Sequence, residues 1–400
     1  MRRLYFGRFA AAGVLLLVAA PFGWPLDHPD TQRVEPVSVR CVCNGRVFIA
    51  PGTVDGQEAC VLIDTGSLRT IVLGTGADEE VSVSLAVGGV KLGKRYVQQR
   101  DIPVLTAIKG IYESASRKGT AKVCLLGRDI LKEFAVGFDY TQDTVSFWAG
   151  GSLSADSATA WMRALPAWPG AQPSIGSVDL EMYRDSFCLP IQSPSGLLSL
   201  GMLDTGATRG ELTRDKLERL TAGPGTEDTD YSNAGASKRM STLVPEVLIG
   251  GVRTIWWPVG IVAAPSPGTR GDGLIALSDF RSRRLLLDMP AKKLYLERFV
   301  GDANLSFALS QFLPYPIRIA GDKAFMGPLY SAWAWQGAKS VEGDEVISIA
   351  GFPTKDVISA LRGSGADAQQ TMSKLFVLTR HDFVIELIHR GQKTDLQIRY

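Results

Sequence analysis

Short apolar segments separated by glycine-rich turns fill most of the chain from Val47 to Arg298. Alternation of apolar and polar positions over roughly four to eight residues is typical of half-buried strands, and turn residues between such runs are typical of hairpins. Few stretches in this region have the period of a long amphipathic helix. The pattern therefore predicts a mainly β fold.

The two halves of this region repeat each other. The run Val61–Ser67 ends in Asp-Thr-Gly-Ser, and the run Gly201–Ala207 ends in Asp-Thr-Gly-Ala. Each copy continues with an arginine, a Gly-Gly-Val turn, an apolar segment, a short helix and a closing hairpin. The repeated features are Arg69 and Arg209, Gly88-Gly89-Val90 and Gly250-Gly251-Val252, Leu125-Leu126-Gly127 and Leu274-Ile275-Ala276, and Asp139 and Asp288. This repetition predicts two similar β lobes.

The chain divides into four predicted parts. Residues 1–30 form a signal peptide or N-terminal anchor, 31–155 a first lobe, 156–305 a second lobe and 310–400 a C-terminal domain. A linker rich in Gly, Ser, Ala and Pro is expected around Gly150–Ser177.

The amino-acid composition excludes several kinds of partner and active site. The chain has 43 Lys and Arg against 41 Asp and Glu, so it lacks the basic excess of most nucleic-acid-binding proteins. Its three histidines are His28, His381 and His389. A histidine-based hydrolytic or metal site would have to be built from the ends of the chain. We therefore expect no nucleic-acid partner, no metal and no cofactor.

The N-terminus has the pattern of an export signal. Three arginines lie within the first eight residues, and the uncharged run Phe9–Ala20 follows. That run is shorter than the about 20 residues of a membrane-spanning helix. An uncleaved anchor extended through Trp24 is the alternative. Either way we expect a secreted or periplasmic protein, whose cysteines form one or two disulfides or remain buried free thiols.

Two Asp-Thr-Gly turns can support hydrolysis without histidine. A single such turn is typical of an ordinary β-turn. If the lobes pack about a pseudo-twofold axis, however, Asp64 and Asp204 meet. Two carboxylates about 3 Å apart cannot both ionise, so the pair shares one proton. One carboxylate then acts as a general base on water, and its protonated partner polarises a peptide carbonyl.

On these motifs the chain resembles the aspartic proteases, both retropepsin-like and pepsin-like, over roughly Val47 to Arg298. The resemblance implies two tandem β lobes that form one protease unit, with Asp64 and Asp204 as its catalytic pair. It also implies active-site support from Thr65, Gly66, Ser67, Thr205, Gly206 and Gly127. In the family, the two threonines exchange hydrogen bonds beneath the site.

The chain departs from the family at two positions. The glycine expected after the second apolar segment is Ala276, whose methyl group could displace Asp204. Ser67 follows the first turn, but Ala207 follows the second. We expect the Ser67 hydroxyl to donate to Asp64 and stabilise its charged form, which makes Asp204 the protonated partner. We therefore expect the optimum pH for activity to be higher than that of a dyad in which both aspartates have such a hydroxyl.

The family resemblance also implies a flap over the cleft. The candidate flaps are Val87 to Val97 and Ile249 to Trp257. Tyr96, Trp256 and Trp257 are the candidates for lining a peptide groove. Burial in the core is the alternative for aromatic residues on strands.

The last ninety residues have a different pattern. The segment Ser331–Gly337, followed by Gly343–Gly351, resembles a PDZ domain, and a helix is predicted from Thr354 to Arg362. PDZ domains bind extended peptides at a sheet edge. Pro328 removes a backbone donor from the expected carboxylate-binding loop, which puts binding of a peptide terminus in question. A packing domain that rigidifies the protease is the alternative.

Together these features predict an exported aspartic endopeptidase that acts through Asp64 and Asp204. Its expected partners are a polypeptide substrate and a peptide ligand of the PDZ-like domain. Membrane contact is expected only through an uncleaved N-terminal anchor. The alternative function is a catalytically inactive, exported peptide-binding scaffold with a degenerate protease fold.

Overall fold

The computed structural model describes most of the chain from Glu35 onward. The described residues are 35–43, 47–74, 79–116, 119–149, 151–164, 173–193, 195–220, 222–223, 225–232, 235–263, 273–280, 282–310, 313, 316–327 and 341–398. Side chains are not described at 228–232 and 235–238. The predicted signal peptide or anchor at 1–30, Pro328 and the segment Ser331–Gly337 lie outside these residues.

The first lobe is built on a closed barrel. Its strands are β1 (Val37–Arg40), β2 (Val42–Cys43), β3 (Phe48–Val54), β4 (Gln57–Ile63), β5 (Ile71–Leu73), β6 (Glu79–Val87), β7 (Val90–Arg100), β8 (Lys122–Leu126), β9 (Ala135–Asp139) and β10 (Thr144–Trp148). Its helices are α1 (Pro103–Ser116) and α2 (Arg128–Leu131), and α3 (Ala155–Arg163) follows in the predicted linker. Strands β3, β4, β8, β5, β7 and β6 pair in this order, and β6 also pairs with β3.

Both faces of this barrel wall are apolar, because its strands are covered on both sides. Side chains on the inner face of the barrel wall, such as Phe48 and Val61, fill the barrel core. Side chains on the outer face, such as Leu62 and Leu125, pack against α1. Helix α1 begins at a proline, which suits the first helical position, and its buried Leu105, Ile108 and Tyr112 lie on one face.

The second lobe repeats this arrangement. Its strands are β11 (Ser174–Asp179), β12 (Glu181–Tyr183), β13 (Ser186–Ser193), β14 (Gly196–Asp204), β15 (Gly210–Thr213), β16 (Thr226–Ser232), β17 (Gly235–Ile249), β18 (Val252–Val262), β19 (Gly273–Ala276), β20 (Arg284–Asp288) and β21 (Lys293–Arg298). Helix α4 spans Arg214–Arg219, and a 3-10 helix spans Leu277–Phe280. Strands β13, β14, β19, β15, β18 and β17 form a second ring, which a β13–β17 pairing closes.

A third sheet joins the lobes. Its order is β1-β10-β9-β20-β21-β11, so three strands come from each half of the chain. At its centre β9 and β20 run antiparallel, and the buried Arg284 of β20 forms a 2.7 Å ion pair with Asp139 of β9. The lobes are therefore joined about a pseudo-twofold axis through this sheet.

The C-terminal domain has a sheet of its own. It contains α5 (Asp302–Ser310), β22 (Ile317–Ala320), β23 (Lys323–Met326), β24 (Glu345–Ile349), β25 (Phe352–Pro353), α6 (Thr354–Arg362), α7 (Ala366–Leu378), β26 (Phe383–His389) and β27 (Gln392–Ile398). The strand order is β22-β23-β24-β26-β27, with β25 on β24. Its core is continuous with Leu243, Ile255 and Trp256 of the second lobe.

The prediction of a mainly β fold is confirmed, and the two barrels agree with a two-lobed β architecture. The predicted helix at Thr354–Arg362 is present as α6. Helices α1, α3, α5 and α7 were not predicted, and α3 lies within the segment expected to be a linker. No disulfide joins the five cysteines, all of which lie among the described residues, and Cys41, Cys60, Cys124 and Cys188 are buried. No helix in the described part of the chain is long and apolar enough to cross a membrane.

Candidate functional site

The two Asp-Thr-Gly turns meet at the base of the junction between the lobes. Thr65 N–H donates to Thr205 Oγ1 at 3.0 Å, and Thr205 N–H donates to Thr65 Oγ1 at 3.1 Å. Each threonine hydroxyl also donates to a carbonyl of the opposite lobe, at Leu203 and Ile63. These four bonds use every polar group of the two buried threonine side chains and fix one turn against the other.

The reciprocal bonds bring the two aspartates together. Asp64 directly follows the apolar strand β4, Asp204 is the last residue of β14, and their carboxyl groups are in hydrogen-bond contact. A Cβ atom on Gly66 would lie 2.2 Å from Asp204 Oδ2, and one on Gly206 would lie 2.7 Å from Asp64 Cγ. Only glycine leaves room for this contact. Both aspartates are half-buried as residues.

Backbone amides distinguish the two carboxyl groups. Asp64 Oδ1 accepts hydrogen bonds from Gly66 N–H at 2.7 Å and Ser67 N–H at 3.2 Å. Asp204 Oδ1 accepts one, from Gly206 N–H at 2.8 Å. The Ala207 N–H instead bonds the backbone carbonyl of Asp204.

The expected role of the Ser67 hydroxyl is wrong. That hydroxyl donates to the Arg69 carbonyl at 2.7 Å, and only the Ser67 amide reaches Asp64. The expected effect of the hydroxyls on the pH optimum therefore loses its basis.

The pKa directions of the pair still differ. Burial raises the pKa of Asp204 well above its usual range, and the negative charge of Asp64 raises it further. Burial also raises the pKa of Asp64, but the hydrogen bond from Asp204 and the two amides oppose that rise. These directions favour the proton on Asp204 and the negative charge on Asp64, in a pair that titrates as a unit.

Ala276 is accommodated without displacing Asp204. In the first lobe, Gly127 N–H donates to Thr70 Oγ1, and a Cβ on Gly127 would lie 2.5 Å from the Arg69 backbone. In the second lobe, Ala276 N–H donates to Asp279 Oδ2 at 2.8 Å. The residue equivalent to Thr70 is Gly210, so the small residue has moved to the facing segment.

Two of the three predicted groove residues are buried. Trp257 has no exposed surface, and its ring lies 2.5 Å from where a Cβ on Gly210 would stand. The ring therefore packs against Gly210, the first residue of β15. Trp256 is 1% exposed and packs in the core of the C-terminal domain. The prediction that these tryptophans line a groove is wrong because the strand carrying them is covered on both faces. Tyr96 is 71% exposed on β7.

The two predicted flaps are also misplaced. Both Gly-Gly turns are tied to their own lobes, since Gly88 N–H donates to the Pro51 carbonyl and Gly250 N–H to the Pro190 carbonyl, each at 2.8 Å. The hairpin that crosses between the lobes is instead β16–β17. Its strand β16 contacts helix α1 of the first lobe. In the sequence, the Gly, Thr, Asp and Ser content from Thr221 to Lys238 predicts only a surface loop.

One arginine of the repeat connects the second turn to this hairpin. Arg209 is 7% exposed, and its Nη1 donates to Ser241 Oγ on β17 at 2.6 Å. Its counterpart Arg69 is exposed. The sequence showed the repeated arginines, but not that only one would be buried.

A second buried arginine lies beside the site and was missed. Arg128 directly follows the Leu-Leu-Gly segment and is 4% exposed. Among the described residues, no group of His, Cys, Asp and Glu side chains could hold a metal ion.

Comparison with known protein families and with curated protein sequences finds no significant match.

Proposed function

We propose that this chain is an aspartic endopeptidase, with Asp64 as the general base and Asp204 as the general acid. The observation that carries the proposal is the hydrogen-bond contact between two carboxyl groups whose turns are locked by reciprocal threonine bonds. Such a pair shares one proton and can bind a water molecule between its oxygens.

The reaction needs only this pair, water and a peptide. The Asp64 carboxylate takes a proton from water as the water oxygen adds to the peptide carbonyl carbon, and Asp204 gives its proton to the carbonyl oxygen. In the resulting diol, Asp64 passes its proton to the amide nitrogen while Asp204 takes one from a hydroxyl group. The C–N bond then breaks, and the pair returns to its starting protonation state.

The rest of the fold supports a polypeptide substrate. The two barrels are assigned as retropepsin-like or pepsin-like lobes of one protease unit, and the hairpin β16–β17 is assigned as its flap. The sheet and helix α6 of the C-terminal domain agree with a PDZ-like domain that recruits polypeptides or regulates cleavage. The N-terminal sequence supports export of the protein to the periplasm or the medium.

Cleavage of an unfolded protein substrate tests the proposal. Wild-type chain is expected to cut it, and Asp64→Asn and Asp204→Asn are each expected to lower the rate at least about a thousandfold, because either change removes the shared proton chemistry. Asp395→Asn, an exposed aspartate on β27, is the matched control and should leave the rate unchanged.

A transition-state mimic with a hydroxyl group in place of the scissile carbonyl should block cleavage by binding both carboxyl groups. A folded wild-type chain that binds the unfolded protein but never cuts it would contradict the proposal. That outcome would favour the inactive peptide-binding scaffold.

A further inference from the structure

Arg128 is a buried cation without a conventional partner. Its Nη1 donates a weak hydrogen bond to Met202 Sδ at 3.9 Å. Its Nε and Nη2 have no hydrogen-bond partner in the part of the chain that the structure describes. A buried guanidinium group is unfavourable unless a nearby negative charge compensates it.

The charges that face Arg128 come from four elements. They are Asp64 directly after β4, Asp204 at the end of β14, Cys188 on β13 and Asp185 in the turn before β13. Burial raises the pKa of the Cys188 thiol to about 11, so that thiol is neutral at physiological pH. Asp185 is exposed, and water screens its charge. The aspartate pair is therefore the compensating anion.

The second lobe has no equivalent cation. The residue after Ala276 is Leu277, which is 1% exposed and packs in the main core. Arg128 thus supplies one positive charge that acts on both carboxyl groups, and a pair of aspartates that shares one proton has one negative charge. The two charges balance only when the pair is singly protonated.

We propose that Arg128 is the counter-ion of the aspartate pair and holds Asp64 and Asp204 in their singly protonated state. The effect of Arg128 on catalysis rests on the proposed function, but its electrostatic coupling to the two aspartates does not. Arg128 is a positioning residue in this scheme, since it acts through the aspartates. In agreement, its positive charge lowers the pKa of both carboxyl groups against the effect of burial.

Removal of the charge should move the titration of the pair to higher pH. Arg128→Met is expected to shift both limbs of the pH profile of kcat/KM upward by about one unit or more, the usual effect of a nearby opposite charge. Arg128→Lys should restore most of the profile. Arg69→Met, which removes an exposed charge near the same turn, should leave it in place.

Carbon-13 NMR of the aspartate carboxyl groups provides a readout that needs no activity. If the wild-type chain cuts nothing, the proposed function fails, yet the carboxyl titration still tests the counter-ion. An upward shift of that titration in Arg128→Met supports the proposal. An unchanged titration in the folded variant overturns it.

If Arg128→Met unfolds the otherwise wild-type chain, melting temperatures measured in two backgrounds still test the proposal. In the Asp64→Asn, Asp204→Asn background the arginine has no anion to balance, so Arg128→Met should raise the melting temperature there. A variant that is equally destabilised in both backgrounds would show that Arg128 acts independently of the aspartates and would overturn the proposal.

Discussion

Asp64 and Asp204 occupy equivalent turns, but they accept different numbers of backbone hydrogen bonds. Two amides donate to Asp64 Oδ1, and one donates to Asp204 Oδ1. Donation by an N–H group stabilises the charged form of a carboxyl group. The negative charge is therefore more stable on Asp64, and the proton is more stable on Asp204. Backbone geometry, together with the shared burial, therefore sets the direction of the asymmetry.

Asp204→Asn should stabilise the folded chain at neutral pH. The pKa of Asp204 is raised in the folded state, so its contribution to stability is full below about pH 4, its unfolded pKa, and is lost as pH rises toward the folded pKa. Asparagine does not ionise and avoids this loss, which is about 1.4 kcal/mol for each unit of pKa shift.

Denaturant unfolding at about pH 3 and pH 7 measures this difference, because the unfolded pKa lies between those values. The gain from Asp204→Asn should appear at the higher pH, and the exposed Asp395→Asn should show no gain at either. A variant that is less stable than wild type at pH 7 but equal to it at pH 3 would contradict the assignment of the raised pKa.

Helix α1 makes the two lobes unequal. It covers the face of the first barrel that includes Leu62 and Leu125, and Leu62 lies two residues before Asp64. The same helix contacts β16 of the second lobe. Its packing therefore affects both the wall beside the aspartates and the hairpin that crosses the lobes.

Two isoleucines on α1 provide a matched test of this packing. Ile108 is 4% exposed and lies among Leu105 and Tyr112, so Ile108→Ala should cost about 2–5 kcal/mol of unfolding free energy. Ile111 is 39% exposed, and Ile111→Ala should cost less than about 0.5 kcal/mol. Urea unfolding measures both. Similar losses for the two variants would show that α1 does not dock on the barrel through this face.

Trp256 joins the second lobe to the C-terminal domain. Its backbone has a φ of +51°, which is unusual for a bulky side chain. This conformation lets the consecutive Ile255 and Trp256 both face the C-terminal domain, whereas Trp257 faces the barrel core. Trp256 Nε1 donates to the Leu361 carbonyl of α6 at 3.2 Å. The C-terminal domain is thus packed on the second lobe and is not a module on a linker.

Trp256→Ala should separate the unfolding of these two parts. Loss of a fully buried tryptophan costs about 3–5 kcal/mol, and most of that loss should fall on the contact between the second lobe and the C-terminal domain. Scanning calorimetry should show one transition for wild type and two for the variant. Tyr96→Ala, at an exposed aromatic, is the control. A single transition lowered as a whole would mean that the domains fold cooperatively without this side chain.

Local sequence determined the β class, the repeat and the two Asp-Thr-Gly turns of this protein. Alternating side chains and Asp-Thr-Gly turns act over a few residues, so their consequences can be predicted from the chain alone. The positions of residues that pack against distant segments could not be predicted in this way. Trp256 and Trp257 were expected in a groove, yet one supports Gly210 and the other enters the C-terminal domain.

Only the tertiary structure decided which side chains surround the aspartates. The burial of Arg128, the position of α1 and the choice of the β16–β17 hairpin all depend on which faces of the two barrels meet another segment. An arginine after a glycine, or three apolar residues on one helix face, is compatible with several such environments. Long-range packing selects among them, and the electrostatics of the site follow from that selection.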